Sequence, residues 1–173
     1  KDNFYQRLAF DEIFSTFLVN SEIRKKIRKI KKKAKIFSSE KQKSIIKKLA
    51  FSLTNDQKKT LDEINNDLIS TNKMFRLLQG DVGSGKTIVS LIAAYNTVNS
   101  GFQVALMAPT EILARQHFNF AKNLFSKDIN IELISGKSDN KTKKNILDKL
   151  SNNKIDIIFG THAIFQKKVN FNN

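Results

Sequence analysis

The chain has 173 residues, 40% of them hydrophobic, with 31 Lys plus Arg against 16 Asp plus Glu, a net charge of +15, one proline, two histidines and no cysteine. This length suits one compact domain with an appendage. The absence of cysteine excludes a disulfide framework, a thiolate metal centre and a cysteine nucleophile, and two histidines alone build no zinc site.

No run reaches the roughly 20 apolar residues of a membrane span. The opening Lys1-Asp2-Asn3 carries neither a signal-peptide core nor an initiator methionine, so the expectation is a soluble intracellular protein cut from something longer. Only five basic residues are arginine, and Lys, Asn, Ile and Phe are all abundant. Two readings of the charge stand side by side: an AT-rich coding sequence that needs no binding, and a nucleic-acid partner. The charge is uneven: residues 1–50 hold 15 Lys/Arg against 5 Asp/Glu, and the other 123 hold 16 against 11.

Residues 4–18 place Phe4, Leu8, Phe14 and Leu18 at helical steps among further apolar residues, which predicts a well-buried amphipathic helix. Arg24 to Lys35 is a lysine-rich run in which Ile23, Ile27, Ile30 and Ala34 keep one thin apolar stripe. It predicts a second helix, which either tracks phosphates or presents a solvated face. A third helix is expected from about Ser39 to Ala50. At Leu53-Thr54-Asn55-Asp56-Gln57 the threonine caps a helix whose third residue, Gln57, completes a capping box, with Leu61, Ile64 and Leu68 facing inward.

Strand-length and helical segments then alternate. The expected order is a strand from Phe75 to Gln79, a helix from Lys86 closed by Gly101, a strand from Gln103 to Ala108 and a helix from Glu111 to Phe125. A strand from Ile129 to Ile134, a charged helix from Asp139 to Leu150 and a strand from Ile155 to Phe159 follow. This alternation predicts an α/β fold, a parallel sheet wrapped by crossover helices.

Gly80-Asp81-Val82-Gly83-Ser84-Gly85-Lys86-Thr87 has the P-loop pattern of glycine, four residues, then glycine, lysine and threonine, between an expected strand and an expected helix. Its backbone N–H groups and the helix dipole suit phosphate oxygens. Lys86 would neutralise the β- and γ-phosphates of ATP, and the Thr87 hydroxyl would ligate Mg²⁺. The carboxylate that phosphoryl transfer requires is not found. Asp156 begins its strand, whereas ligands gather at carboxyl ends, and Glu111 is a helix cap as readily as a functional group.

Residues Phe75 to Thr87, Met107 to Phe118 and Gly160-Thr161-His162-Ala163 resemble the first motifs of the RecG-type superfamily 2 DNA helicases. Arg7 to Glu12 resembles the helical segment joining the wedge domain of that family to its motor. The transcription-repair coupling translocase is similar too, although its P-loop has phenylalanine where this chain has Ser84, and the primosomal helicase is a more distant likeness. The resemblance implies a P-loop NTPase of RecA-like fold, with residues 1–50 a helical arm and residues 51–173 the first part of the first RecA-like domain. It implies a monomeric, cytoplasmic, nucleoid-associated bacterial motor that hydrolyses ATP with Mg²⁺ to remodel branched duplex DNA in recombination and repair, with no membrane partner. The acidic box, the second motor domain and the wedge domain of the family lie outside this sequence, so the chain alone is expected not to turn over. A non-hydrolysing nucleotide-binding module is the alternative from another class.

Carried over by position, the resemblance assigns Pro109-Thr110, Ser135-Gly136-Lys137 and Thr161-His162 to the surface facing DNA, holding phosphates without reading bases. It assigns Gln57 to adenine. Plainer roles exist for each: Thr110 and Thr161 as N-caps, Gly136 as a turn glycine, His162 packed beside Phe159, His117 structural within its helix, and Gln57 serving only its capping box.

Overall fold

The computed structural model describes residues 2–125, 129–136, 139–165 and 169–172. The two predicted N-terminal helices are one, α1 (Asp2–Lys29). Local periodicity suffices to form it, but burial needs a partner surface, and Phe4, Phe10 and Phe17 are 68%, 63% and 69% exposed. The expected burial of residues 4–18 is therefore not met among the described residues.

The lysine-rich helix predicted over 24–35 is also corrected, because the helix stops at Lys29. Beyond it the chain is extended and runs beside the end of α3 (Asn55–Ile69), with an antiparallel bridge between Lys31 and Asn72. Lys32 N donates to Thr71 O at 2.7 Å, and Lys73 N donates to Ile30 O at 2.9 Å. The physical reason is competition for the lysines. Further helix would stack like charges at four-residue steps, whereas here Lys32 Nζ donates to Leu68 O at 2.7 Å and also to Ser70 O, serving carbonyls at the C-terminus of α3. Lys35 Nζ sits 3.9 Å from the centroid of the Phe102 ring. Partial burial pulls both amines below the ordinary lysine range; attraction from Asp67 opposes this at Lys32, and repulsion from Lys32 adds to it at Lys35.

Helix α2 (Ser39–Lys47) starts where the Ser38 hydroxyl accepts from Glu40 N, and it buries Ile45. Helix α3 opens on the predicted capping box, with Gln57 N donating to Thr54 Oγ1 at 3.2 Å and Thr54 N to Gln57 Oε1 at 2.9 Å. Leu61, Ile64 and Leu68 are buried as expected. Helix α4 (Lys86–Asn99) is apolar on most of its circumference, as a helix covered on several sides must be. Gln42, Asn65 and Asn96 join α2, α3 and α4 through an amide cluster with contacts of 2.6 to 2.9 Å. Asn96 is 1% exposed, so this cluster satisfies polar groups that would otherwise be costly to bury.

Strands β1 (Val104–Met107), β2 (Ile131–Ile134) and β3 (Ile157–Gly160) form a parallel sheet in the order β1-β3-β2. Helices α5 (Glu111–Phe125) and α6 (Asn140–Ser151) connect them, and a short 3-10 helix spans His162–Phe165. Central β3 is buried along its whole length. Ile157 and Phe159 join α2, α3, α4 and α5 in the larger core, whereas Ile158 joins Ile146, Leu150 and Ile164 in a smaller core beneath α6. Alternate side chains thus enter opposite layers, as in a sheet covered on both faces.

The expected strand Phe75–Gln79 does not form a ladder. A strand exists by its partner, and this segment pairs with none of β1, β2 and β3; Phe75 and Leu77 stand 60% and 77% exposed. Residues 169–171, the described part of the strand-like run Lys168 to Phe171, likewise join none of the three strands.

Candidate functional site

The Gly80–Thr87 loop leads directly into α4, whose N-cap Gly85 takes φ +81°, with Gly83 at φ +83°. Those two positions need glycine, because L side chains are strained there. The crossing is tight elsewhere as well. A Cβ on Gly80 would lie 2.9 Å from Ser84 Oγ, and one on Gly85 would collide with Gln57 Nε2. Asp81, Val82, Gly83 and Ser84 are exposed, Gly85, Lys86 and Thr87 half-buried, and Ser84 N donates to Asp81 O at 3.2 Å. Lys86 folds back over the loop, its Nζ donating to Gly80 O at 2.7 Å and Asp81 O at 2.6 Å. The ammonium is therefore held at the loop's centre by carbonyls that an incoming phosphate can replace.

Gln57 does more than cap. Its Oε1 serves the capping box, while Nε2 donates to Ser84 O at 2.9 Å and ties the start of α3 to the P-loop. A primary amide has a second N–H on that nitrogen, so capping and contact with a base are compatible.

The segments that the resemblance assigns to DNA each follow the carboxyl end of a strand. Met107 pairs with Gly160 and Ile134 pairs with Gly160, so the three strands end level. Pro109-Thr110, Ser135-Gly136 and Thr161-His162 each follow one of these ends. Pro109, Thr110, Gly136 and His162 are exposed, Thr161 is half-buried and Ser135 is buried; Lys137 lies outside the described residues. Thr110 also serves as the N-cap, its Oγ1 accepting from Leu113 N at 3.3 Å, and Thr161 O accepts from Ile164 N at 3.1 Å. Lys143 Nζ donates to Gly136 O at 3.0 Å and so holds the turn after β2 from α6.

Asp156 precedes β3, at the end of the sheet opposite this edge, and its carboxylate accepts from Asn130 N at 2.8 Å. It does structural work. Glu111 forms a 3.3 Å pair with Arg115 in the first turn of α5. Among the described residues no three His, Cys, Asp or Glu side chains gather as a metal cluster.

Sequence reasoning missed a link behind the P-loop. Arg76 Nη1 donates to Glu63 Oε2 at 2.6 Å and Arg76 Nε to Asp67 Oδ2 at 2.7 Å. The hydrogen bond to Asp67 holds the guanidinium above its ordinary value, partly offset by desolvation and helped by both carboxylates. The legible signal was the four-residue spacing of Glu63 and Asp67, which puts two carboxylates on one helix face.

Comparison with known proteins follows the same lines. The DEAD/DEAH box helicase profile matches residues 54–173. The chain is 43% identical over 169 residues to the ATP-dependent DNA helicase RecG of Thermotoga maritima, a match covering 97% of this chain and 22% of that protein. It is 48% identical over 136 residues to RecG of Bacillus subtilis, covering 78% of this chain and 20% of that one. The chain thus spans about a fifth of the length of these relatives. The structure of RecG bound to a three-way DNA junction aligns with a TM-score of 0.86 at 43% identity, over 97% of this chain and 23% of that one. A hypothetical ATP-dependent RNA helicase from Sulfolobus tokodaii shares the fold at a TM-score of 0.56 and 21% identity, over 77% and 38% of the two chains. With a nucleotide loop of this geometry, a parallel sheet of this topology and a profile match over most of its length, the chain belongs to the DEAD/DEAH box helicase family.

Proposed function

We propose that this chain is the ATP-binding portion of a RecG-type, ATP-dependent DNA helicase that remodels branched duplex DNA in recombination and repair. In this reading residues 1–50 are the arm and residues 51–173 the first part of the first RecA-like domain; the protein is monomeric and works on the bacterial nucleoid. The observation that carries the reading is the P-loop itself, bound to the start of α3 through Gln57 and to its own lysine through Gly80 and Asp81. Identities of 43% and 48% to RecG proteins favour this type over the transcription-repair coupling and primosomal helicases.

The loop fits a triphosphate by its donor set. N–H groups at the start of α4 and the helix dipole face the phosphate oxygens. Lys86 would exchange the two loop carbonyls for phosphate oxygens, and the Thr87 hydroxyl would hold Mg²⁺, which would neutralise developing charge. Gln57 keeps its cap and offers its second amide hydrogen to adenine. The level strand ends would carry Thr110, Gly136 and Thr161 along one DNA backbone, positioning it without reading sequence. Titration with a fluorescent ATP analogue and Mg²⁺ tests the site: Lys86→Ala should abolish binding, and unchanged affinity would overturn the assignment.

A further inference from the structure

The arm is fastened at two places to the domain that carries the P-loop. Beyond α1 the chain from Ile30 to Lys35 lies along the end of α3, with Lys32 N donating to Thr71 O at 2.7 Å, Lys35 N to Leu68 O at 3.0 Å and Lys73 N to Ile30 O at 2.9 Å. Lys31 Nζ donates to Asn72 Oδ1 at 2.8 Å, and Lys32 Nζ serves Leu68 O and Ser70 O. Helix α2 then enters the larger core, where Ile45 joins Leu61 and Ile64 of α3, Leu91 and Ile92 of α4 and Phe159 of β3. Phe37, Ile46 and Leu49 pack against the same cluster.

Apolar contacts alone leave the seat of α2 loosely defined, because a core kept only by size and hydrophobicity loses uniqueness before it loses stability. A shared acceptor is stricter. Gln42 Oε1 accepts from Asn65 Nδ2 at 2.8 Å and from Asn96 Nδ2 at 2.6 Å, and Asn96 Nδ2 also donates to Asn65 Oδ1 at 2.9 Å. One oxygen of the arm thus holds α3 and α4 together. A displaced α2 would leave donors without an acceptor on two buried residues, Asn65 and Asn96.

We propose that residues 30–49 are a strap that unfolds only with the P-loop domain, and that the Gln42–Asn65–Asn96 cluster is the lock that selects its seat. The C-terminal end of α1 then has a fixed root on the end of α3 and is carried wherever α3 and α4 move. This attachment goes beyond the nucleotide reading and is independent of what the Gly80–Thr87 loop binds. Gln42 acts in it as an acceptor, through Oε1 alone among the printed distances above, so an oxygen at that position is what the lock requires.

Native-state hydrogen exchange of the 173-residue chain in low urea tests both parts. The Lys35 and Ile46 amides should share the urea slope of the Leu91 and Ile92 amides of α4, since a strap with no opening of its own is released only by global unfolding. Gln42→Glu keeps an acceptor oxygen at a half-buried position and should hold that protection within about threefold of the parent. Gln42→Leu keeps apolar bulk without an acceptor, and should speed exchange of the strap and α2 about ten- to hundredfold relative to α4, the factor carried by an orphaned buried donor. Packing alone predicts the reverse order, because leucine suits an apolar seat and a carboxylate does not. Lys35 and Ile46 amides that exchange in the parent through a shallow opening of their own, with α4 still protected, would overturn the strap. Parental protection in Gln42→Leu, or protection lost in Gln42→Glu, would overturn the lock. Should Gln42→Leu not fold, Gln42→Glu alone decides: parental protection upholds the lock and lost protection overturns it.

Discussion

Gln57 joins two functions in one side chain, and two substitutions separate them. Gln57→Ala removes the acceptor for Thr54 N and the donor to Ser84 O. Each is an ordinary hydrogen bond of about 1 kcal/mol net, so the variant should lose about 1–2 kcal/mol of stability and also weaken the tie to the loop. Gln57→Glu keeps an oxygen for Thr54 N and places a carboxylate in the first turn of α3, where the helix dipole favours it by about 0.3–1 kcal/mol. The same carboxylate faces the Ser84 carbonyl with no hydrogen to offer, and it opposes the charge of an incoming phosphate. Stability should therefore stay within about 0.5 kcal/mol of the parent while nucleotide affinity falls at least tenfold, about 1.4 kcal/mol. Urea unfolding reads the first quantity, and titration with a fluorescent ATP analogue reads the second. If Gln57→Glu bound nucleotide like the parent, the contact with Ser84 would be incidental and Gln57 would be a cap only.

Three further outcomes follow from particular contacts. A Cβ on Gly160 would meet the Ile134 carbonyl oxygen at 2.6 Å and Ile164 Cγ1 at 3.0 Å, so Gly160→Ala should destabilise by about 1–3 kcal/mol in urea unfolding; a midpoint equal to the parent's would show that β3 yields freely. The Asp139 carboxylate accepts from Thr142 N at 3.1 Å at the start of α6, and hydrogen bonding from Thr142, its side chain first and its backbone N–H second, lowers the Asp139 pKa. A depressed folded value gives stability that is present above the ordinary aspartate value and lost as pH falls below about 4; thermal melts from pH 2 to 6 should show that loss in the parent and a flatter profile in Asp139→Asn, and superimposable profiles would discount the cap. If the basic end of α1 follows a DNA backbone, neutralising Lys25 and Lys29 should lower the slope of log affinity against log salt by up to about 1.8 on any duplex sequence, whereas an unmoved slope would remove α1 from the DNA surface.

Signals that act within a few residues were legible. The capping box at Thr54 and Gln57, the span of α5 and the P-loop before α4 depend on side chains one turn apart, and each formed as read. Signals that depend on a distant partner were not. Phe75–Gln79 has strand composition, but a ladder requires a neighbour, and the segment pairs with none of β1, β2 and β3, while Arg76 within it pairs with two carboxylates of α3. The lysine run looked uniform in sequence; folding divides it, since Lys25 pairs with exposed Glu22 on α1 while Lys32 caps α3 and Lys35 covers Phe102. Lys32 is therefore a poor probe of DNA binding, because neutralising it also strips carbonyls at the end of α3 of their donor.

The surface proposed for DNA would be specified by residues that never reach it. Thr110, Thr161 and Gly136 follow the carboxyl ends of β1, β3 and β2, which end level, with Met107, Gly160 and Ile134 in register. That register is fixed by the alternation along β3, which sends Ile157 and Phe159 into one core and Ile158 into the other. A slip of one residue would exchange these faces and bury the wrong set in both layers. It would also shift one strand end by about 3.3 Å against its neighbours, enough to break contact with a phosphate held at hydrogen-bond distance. The backbone groups at this edge carry no sequence preference of their own. If this end faces DNA as proposed, their placement, inherited from a core of isoleucine and phenylalanine, would be what fits them to a phosphate chain.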